Sequence, residues 1–190
     1  KHSIAVGSAS ELIAESHLDL GVRPEEAFVA GLLHDLGKMV LNLILPRAYG
    51  RVLGLAERRA SSSTEAELQL LGVDHHTVGK RLAEHWGLPA PLRDTIWLHG
   101  QAPASLPDLP HRGMVAIVGV ARNLVRHLHI GWCGDFNHPD ALEGPRGVCK
   151  QFGLSADLVE ASVARLHENV GHRCRVLGLT DQSTPEMLMQ

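Results

Sequence analysis

A histidine followed directly by an aspartate, His34–Asp35, lies inside the apolar run AFVAGLLHDLGKMVL at residues 27–41. Imidazole and carboxylate move protons and ligate metals. A helix that is apolar on all sides is normally buried. Each buried polar group then costs roughly 2–7 kcal/mol unless it finds a partner. The pair needs either a hydrogen-bond network or a metal ion, and which of the two it has decides whether the chain is an enzyme.

Histidine is the compositional outlier, with 13 copies. At 100° per residue, His2 shares the face of Ala5, Val6, Ala9 and Ile13. His34 lies with Ala27, Ala30, Gly31 and Leu41, small residues that allow a second helix to come close. His75 lies with Val78, Gly79, Leu82 and Trp86, and His99 with Leu92 and Ile96. His76 lies with Lys80 and Ala83, which reads as an exposed face. A single histidine on an apolar face is more often a satisfied core residue than a ligand. Four of them, with Asp35, point to one shared polar centre, either metal-bound or purely hydrogen-bonded. Fe, Mn, Zn, Co or Ni would suit such donors. Lys38, one turn after His34, reads as a lysine whose stem lies on the helix and whose head reaches water.

The elements that must position these residues are helical almost throughout. The spacing predicts a helix over 2–19, ended by Gly21, and another from Pro24 to Leu45, stopped by Pro46. A shorter helix follows over 47–59. Thr64-x-x-Glu67 reads as a capping box for the next, and Asp74 as the cap of a helix over 75–86. After Gly87-Leu88-Pro89 a short helix runs from Pro91 to His99. The proline-rich stretch 100–110 reads as a loop. A long apolar helix is expected over 112–130, irregular chain over 131–147, and a final helix from the Ser155 cap to Leu177. The tail 180–190 reads as frayed. No strand pattern and no repeat is present, so the class is all-α.

Composition excludes several functions. The 190 residues are 44% apolar with a net charge of −3, and no basic stripe suggests a nucleic-acid partner. One Tyr and three Phe offer few stacking platforms for bases. No apolar run reads as a membrane span and no leader pattern opens the chain. Cys133, Cys149 and Cys174 form no CxxC pair, which suits a reducing cytoplasm. The chain opens at Lys1 without a capping residue before its first helix, so it reads as one module of a longer protein.

The run at 27–41, Glu67, LGVDHHTVGKRLAEHWGLP at 71–89, Ile96 and His99 together resemble the HD superfamily, and more closely its HDOD branch. The likeness covers about residues 2–130. It implies an HD-type helical bundle of about eight to nine helices, with residues 131–190 a helical extension packing on the 1–130 core. It also implies a metal site in which His2 is the first histidine, His34 and Asp35 the doublet, and His75 and His99 the further ligands of multinuclear relatives. Two departures matter. Gly100 stands where a second histidine often follows His99. The closing aspartate falls at Arg122, or Asn123 one residue on, and neither is a carboxylate.

The resemblance therefore implies a regulatory signal-transduction module with a degenerate site, acting by protein–protein contact. Expected partners are signalling proteins or fused receiver or cyclic-di-GMP domains, or a second copy in a homodimer. The expected cofactor is none or a weakly held Fe, Mn, Zn or Ni ion. The alternative is a metal-dependent phosphohydrolase in which a metal-bound water attacks phosphorus and Lys38 contacts a phosphate oxygen.

Overall fold

The structure, a computed structural model, describes residues 1–136 and 145–179. The expected frayed tail and part of the expected irregular segment lie outside the described residues. Among those residues the fold is all-α, with no strand. The helices are α1 (His2–Ser16), α2 (Pro24–Leu33), α3 (Leu36–Ile44), α4 (Pro46–Arg59), α5 (Ser63–Leu71), α6 (His75–His85), α7 (Ala90–Leu98), α8 (Arg112–His127), α9 (Pro145–Phe152) and α10 (Ala156–Val176). Short 3-10 turns cover Leu18–Leu20 and Pro103–Ser105.

The main core gathers the inner faces of α1 and α8, with Ala27 and Ala30 of α2 and Val159, Leu166 and Val170 of α10. A smaller core joins Leu41 to Tyr49, Val52, Ala56 and Ala66. A third joins Leu36, Ala83 and Ile96. The cluster of polar residues described below sits where these cores meet.

Several local expectations are corrected. The helix expected from Pro24 to Leu45 is broken at His34–Asp35, with Asp35 at φ −96° and ψ 23°, outside helical geometry. Counted through that break, Pro24–Ile44 is a stretch of 21 residues, long and apolar enough by composition to cross a membrane. Half of it is buried within the fold, so it serves here as core. It is not buried on all sides: Met39, Leu43 and Ile44 lie largely exposed on α3. The expected cap Thr64 is displaced by Ser62, whose hydroxyl accepts from the Glu65 amide at 3.2 Å. Asp74 caps α6 as its position suggests, accepting from the Thr77 amide at 2.7 Å. Trp86, placed by its spacing on the inward face of His75, is 58% exposed. Helix α9 starts at the end of the stretch expected to be irregular, overlapping it only over 145–147, and continues to Phe152.

Two helix crossings depend on glycine because the backbones touch. A Cβ at Gly31 of α2 would stand 2.6 Å from Ser10 Oγ and 2.8 Å from Gly7 Cα of α1. A Cβ at Gly37 of α3 would stand 2.7 Å from the His75 carbonyl carbon and 2.9 Å from the Gly79 nitrogen of α6. Backbone cannot yield as a side chain can. Helix propensity alone favours alanine over glycine by about 1 kcal/mol. Gly37→Ala is nevertheless expected to destabilise the protein, by about 1–3 kcal/mol or more, as overpacking does. A urea midpoint that rises or stays fixed would show that α3 and α6 are not in backbone contact.

Candidate metal centre

The break at His34–Asp35 turns both side chains of the doublet toward the other helices. His34 is held by a hydrogen bond of 2.7 Å from its Nδ1 to the Gly31 carbonyl. A carbonyl can only accept, so Nδ1 carries the proton and Nε2 presents a lone pair. His75, the first residue of α6, is fixed by Glu67 of α5. The Glu67 carboxylate accepts from the His75 amide at 2.8 Å and from His75 Nδ1 at 2.6 Å through Oε2. Its Oε1 accepts from the Tyr49 hydroxyl at 2.9 Å. Such a carboxylate behind an imidazole sets its tautomer and orientation. His99, at the end of α7, places Nδ1 3.2 Å from the carbonyls of Thr95 and Ile96.

All three bare Nε2 atoms then converge on Asp35. His34 Nε2 is 3.3 Å from Oδ2, His75 Nε2 is 3.4 Å from Oδ1, and His99 Nε2 is 3.5 Å from Oδ1. The side chains of these three histidines are fully buried. The Nε2 atoms and Asp35 Oδ1 have no hydrogen-bond partner in the protein. Lone pairs facing a carboxylate repel unless positive charge lies between them. A proton on an imidazole or a divalent cation would supply it, and the donor set fits a cation of the borderline transition-metal class.

The remaining histidines pack around this group. The His2 ring lies 5.5 Å from that of His34, and the His34 ring 4.8 Å from that of His99. His76, expected to be exposed, is half-buried instead. Its ring stands 4.0 Å from His75 and 4.6 Å from His99. It folds inward because Gly100 leaves open the space beside His99. Two triads result, His2–His34–Asp35 and His75–His76–His99, each with donor atoms within 4.8 Å of one another. Thus the structure brings together all five sequence-predicted residues, His2, His34, Asp35, His75 and His99, and adds His76.

Electrostatics favour the neutral form, the one that binds metals, at His2, His76 and His99. Burial first, then the neighbouring His34, pulls His2 down to about 3. Burial and His75 do the same to His76, also to about 3. Burial and His76 hold His99 well below the usual histidine range. Burial pushes Asp35 up, but His34 and Lys38 outweigh it and hold the carboxyl well below its ordinary value.

Lys38 is not a solvated lysine. It is buried, donating to the Cys133 carbonyl at 2.9 Å, with its ammonium 3.3 Å from Asp35 Oδ2. The residue that sequence reasoning missed is Asp135, in the loop after α8. Its Oδ1 accepts from the Ser63 amide at 2.9 Å and from the Ser63 hydroxyl at 2.7 Å. Its Oδ2 accepts from Arg122 at 2.5 Å. A carboxylate therefore does reach the end of the centre where the expected ligand is absent, but both its oxygens are occupied. Arg122 holds the position the resemblance assigns to a ligand. Nothing in the loop sequence marked Asp135, because its partners lie on α5 and α8.

Two clefts reach the centre. One, of about 280 Å3, is lined by His2, Asp35, Lys38, Tyr49 and Trp132. The other, of about 420 Å3, is lined by Asp74, His76, Gly100, Arg122 and Asp135.

Comparison with known proteins accords with this geometry. A family model for the HDOD domain matches residues 1–102. An uncharacterized protein of Treponema pallidum (strain Nichols) is 25% identical over 103 residues, 54% of this chain and 20% of that protein. An HDOD domain protein of unknown function from Geobacter sulfurreducens superposes with a TM-score of 0.72 at 25% identity, covering 89% of this chain and 60% of that one. A Marinobacter aquaeolei VT8 protein, provisionally named a signal transduction protein, gives 0.72 at 23% identity, covering 94% and 38%. A Shewanella amazonensis SB2B protein, provisionally named a phosphohydrolase, gives 0.68 at 18% identity, covering 89% and 59%. The last two show the fold alone. The chain spans a fifth of the curated relative's length and less than two thirds of each solved chain.

Proposed function

The chain belongs to the HDOD family, and from that premise we propose that it is a regulatory signal-transduction module whose HD-type centre no longer hydrolyses phosphate esters. The observation that carries this reading is the Arg122–Asp135 pair. A hydrolytic HD centre needs anionic ligands to offset its metal charge. Here the position of the closing ligand is a guanidinium, and the carboxylate that arrives nearby neutralises it. Lys38 stands 3.3 Å from the outer oxygen of Asp35, the carboxylate on which the histidine Nε2 atoms converge. Two fixed cations thus flank a centre with one free anionic oxygen, and a metal held between His2, His34 and Asp35 would be weakly held.

Signalling would then proceed by contact with partners. The exposed Met39 and Leu43 lie one turn apart on α3, and Met39 shares the first cleft with Trp132, itself 59% exposed. Exposed apolar groups gathered in this way suit a protein interface. Receiver or cyclic-di-GMP domains of the same polypeptide, separate signalling proteins or a second copy are the partners of this reading, and the cytoplasm its compartment. The free thiols Cys133, Cys149 and Cys174 accord with a reducing environment.

The juxtaposed histidine triads favour a second reading, a metal-dependent phosphohydrolase. Bis-p-nitrophenyl phosphate, assayed with Mn, Fe, Ni or Zn supplied, separates the two. The expected result is no metal-dependent turnover. Turnover that disappears in Asp35→Asn would establish the phosphohydrolase and overturn the regulatory reading.

A further inference from the structure

We propose that His76 is a metal ligand, forming with His75 and His99 a mononuclear three-imidazole site that Asp35 Oδ1 completes. The inference deepens the reading above, since it asks which half of the centre holds an ion once the other half has lost its carboxylate. The resemblance assigns no role to His76.

Three observations converge on it. First, the free donors point together. His75 and His99 have their Nδ1 atoms engaged, so only Nε2 remains on each, and both Nε2 atoms are buried without a partner. His76 Nδ1 is likewise buried and unpartnered. One nitrogen from each ring lies within 4.8 Å of the others. Ligands of a tetrahedral ion with bonds of about 2.1 Å stand about 3.4 Å apart, so a small side-chain closure suffices. Asp35 Oδ1, also unpartnered, lies 3.4 Å from His75 Nε2 and 3.5 Å from His99 Nε2.

Second, His76 stands where a side chain at position 100 would be. A Cβ on Gly100 would lie 2.9 Å from His76 Cε1 and 3.0 Å from His76 Nε2. A side chain at 100 and the inward imidazole at 76 exclude each other. This chain has the second arrangement, so an imidazole is kept beside His99 although it comes from a different helix.

Third, the free oxygen of Asp35 faces this half, while Arg122, whose charge reaches both His2 and His76, is paired with Asp135. Lys38 presses on the Asp35 oxygen beside His34, whereas the oxygen facing His75 and His99 is free. Glu67 stands behind His75 as a supporting carboxylate, and Asp74 caps the same helix end. Three imidazoles and one carboxylate oxygen select Zn, Co, Ni or Cu over Mg or Ca. The cleft beside His76 and Gly100 gives the ion a route from solvent.

The test is a Co(II) titration of the chelator-stripped full chain, read by visible ligand-field absorption and by metal content after dialysis. One Co(II) per chain is expected. His76→Ala should weaken binding by more than the roughly 10–100-fold that losing a mere supporting partner of a ligand costs. Gly100→Ala should weaken it too, because it displaces His76 while leaving the imidazole present. His85→Ala, exposed at the end of α6, should leave the spectrum unchanged. Far-UV circular dichroism melts establish that each variant is folded. Wild-type protein that binds no Co(II), or His76→Ala and Gly100→Ala variants that bind it as wild type does, would overturn the proposal. So would loss of binding in His2→Ala with retention in His76→Ala. Phosphodiester turnover by the Co(II)-loaded protein would overturn the regulatory reading and leave this site standing. Absent binding together with absent turnover would do the reverse.

Discussion

Asp135→Ala is expected to destabilise the protein by about 3–5 kcal/mol, the cost of removing one partner from a buried ion pair. The Asp135 side chain is 1% exposed and compensates Arg122 directly, with Lys38 and Arg126 each 3.8 Å away. It also accepts the amide and hydroxyl of Ser63 at the start of α5. Its loss leaves the mostly buried Arg122 guanidinium short of charge and two donors short of an acceptor. Against a total stability of 5–15 kcal/mol for a typical domain, this is a large fraction. Asp135→Asn keeps an oxygen for Ser63 and should fall between. The pH dependence has a definite sign. Burial pushes Asp135 up, but Arg122 and Lys38, aided by the Ser63 hydrogen bonds, hold it far below the usual carboxylate range. An unfolded aspartate titrates near 3.9. The folded state therefore binds fewer protons than the unfolded one below about pH 4. The contribution is present in full above that pH and is lost as pH falls through and beneath it. Urea melts from pH 7 to pH 3 should show a steeper acid loss in wild type than in Asp135→Asn. Equal slopes, or an unchanged midpoint in Asp135→Ala, would show that the loop does not clamp α5 to α8.

Glu67→Ala is expected to be nearly as severe, costing at least about 3 kcal/mol. Glu67 is wholly buried and accepts three hydrogen bonds, from the Tyr49 hydroxyl, the His75 amide and His75 Nδ1. Each buried donor left without an acceptor costs about 1–3 kcal/mol. The carboxylate also faces the first amide of α6, where the helix dipole favours negative charge. Tyr49→Phe removes a single donor but leaves buried Glu67 Oε1 short of it, and should cost about 1.5–3 kcal/mol. The second readout is the centre itself. With Glu67 gone, nothing fixes His75 Nδ1 as the protonated nitrogen, and Co(II) affinity should fall about 10–100-fold beyond any change in folding. A Glu67→Ala protein that melts as wild type does would show that these donors find water instead.

Much of this was legible in the chain. Helical periodicity set the class and most of the boundaries. The inward phase of His2, His34, His75 and His99 identified the converging set, because a helix fixes the direction of every side chain once its buried face is known. Asp74 declared itself as the cap of α6 by the same local logic. These are properties of residues three or four apart, which the chain carries without reference to its fold.

What the tertiary structure alone decided concerns residues whose partners are distant in sequence. The helix break at Asp35 lies in a run with no Pro and no breaking signal at that point. It arises where Gly37 is drawn against the His75 backbone, a crossing set by the packing of α3 on α6. His76 read as exposed from its own helix, and the space that draws it inward belongs to Gly100 in the turn after α7. Lys38 read as solvated because its helix could not reveal Asp135 and the Cys133 carbonyl above it. Glu67 read as half of a capping box, yet its function is to hold α4 and α6 through Tyr49 and His75. Asp135 had no local signal at all, since its hydrogen bonds with Ser63 span 72 residues of sequence. A periodic pattern reports which way a side chain faces. Which charge it meets there depends on how separate helices are brought together, and that is where the fate of the missing carboxylate was settled.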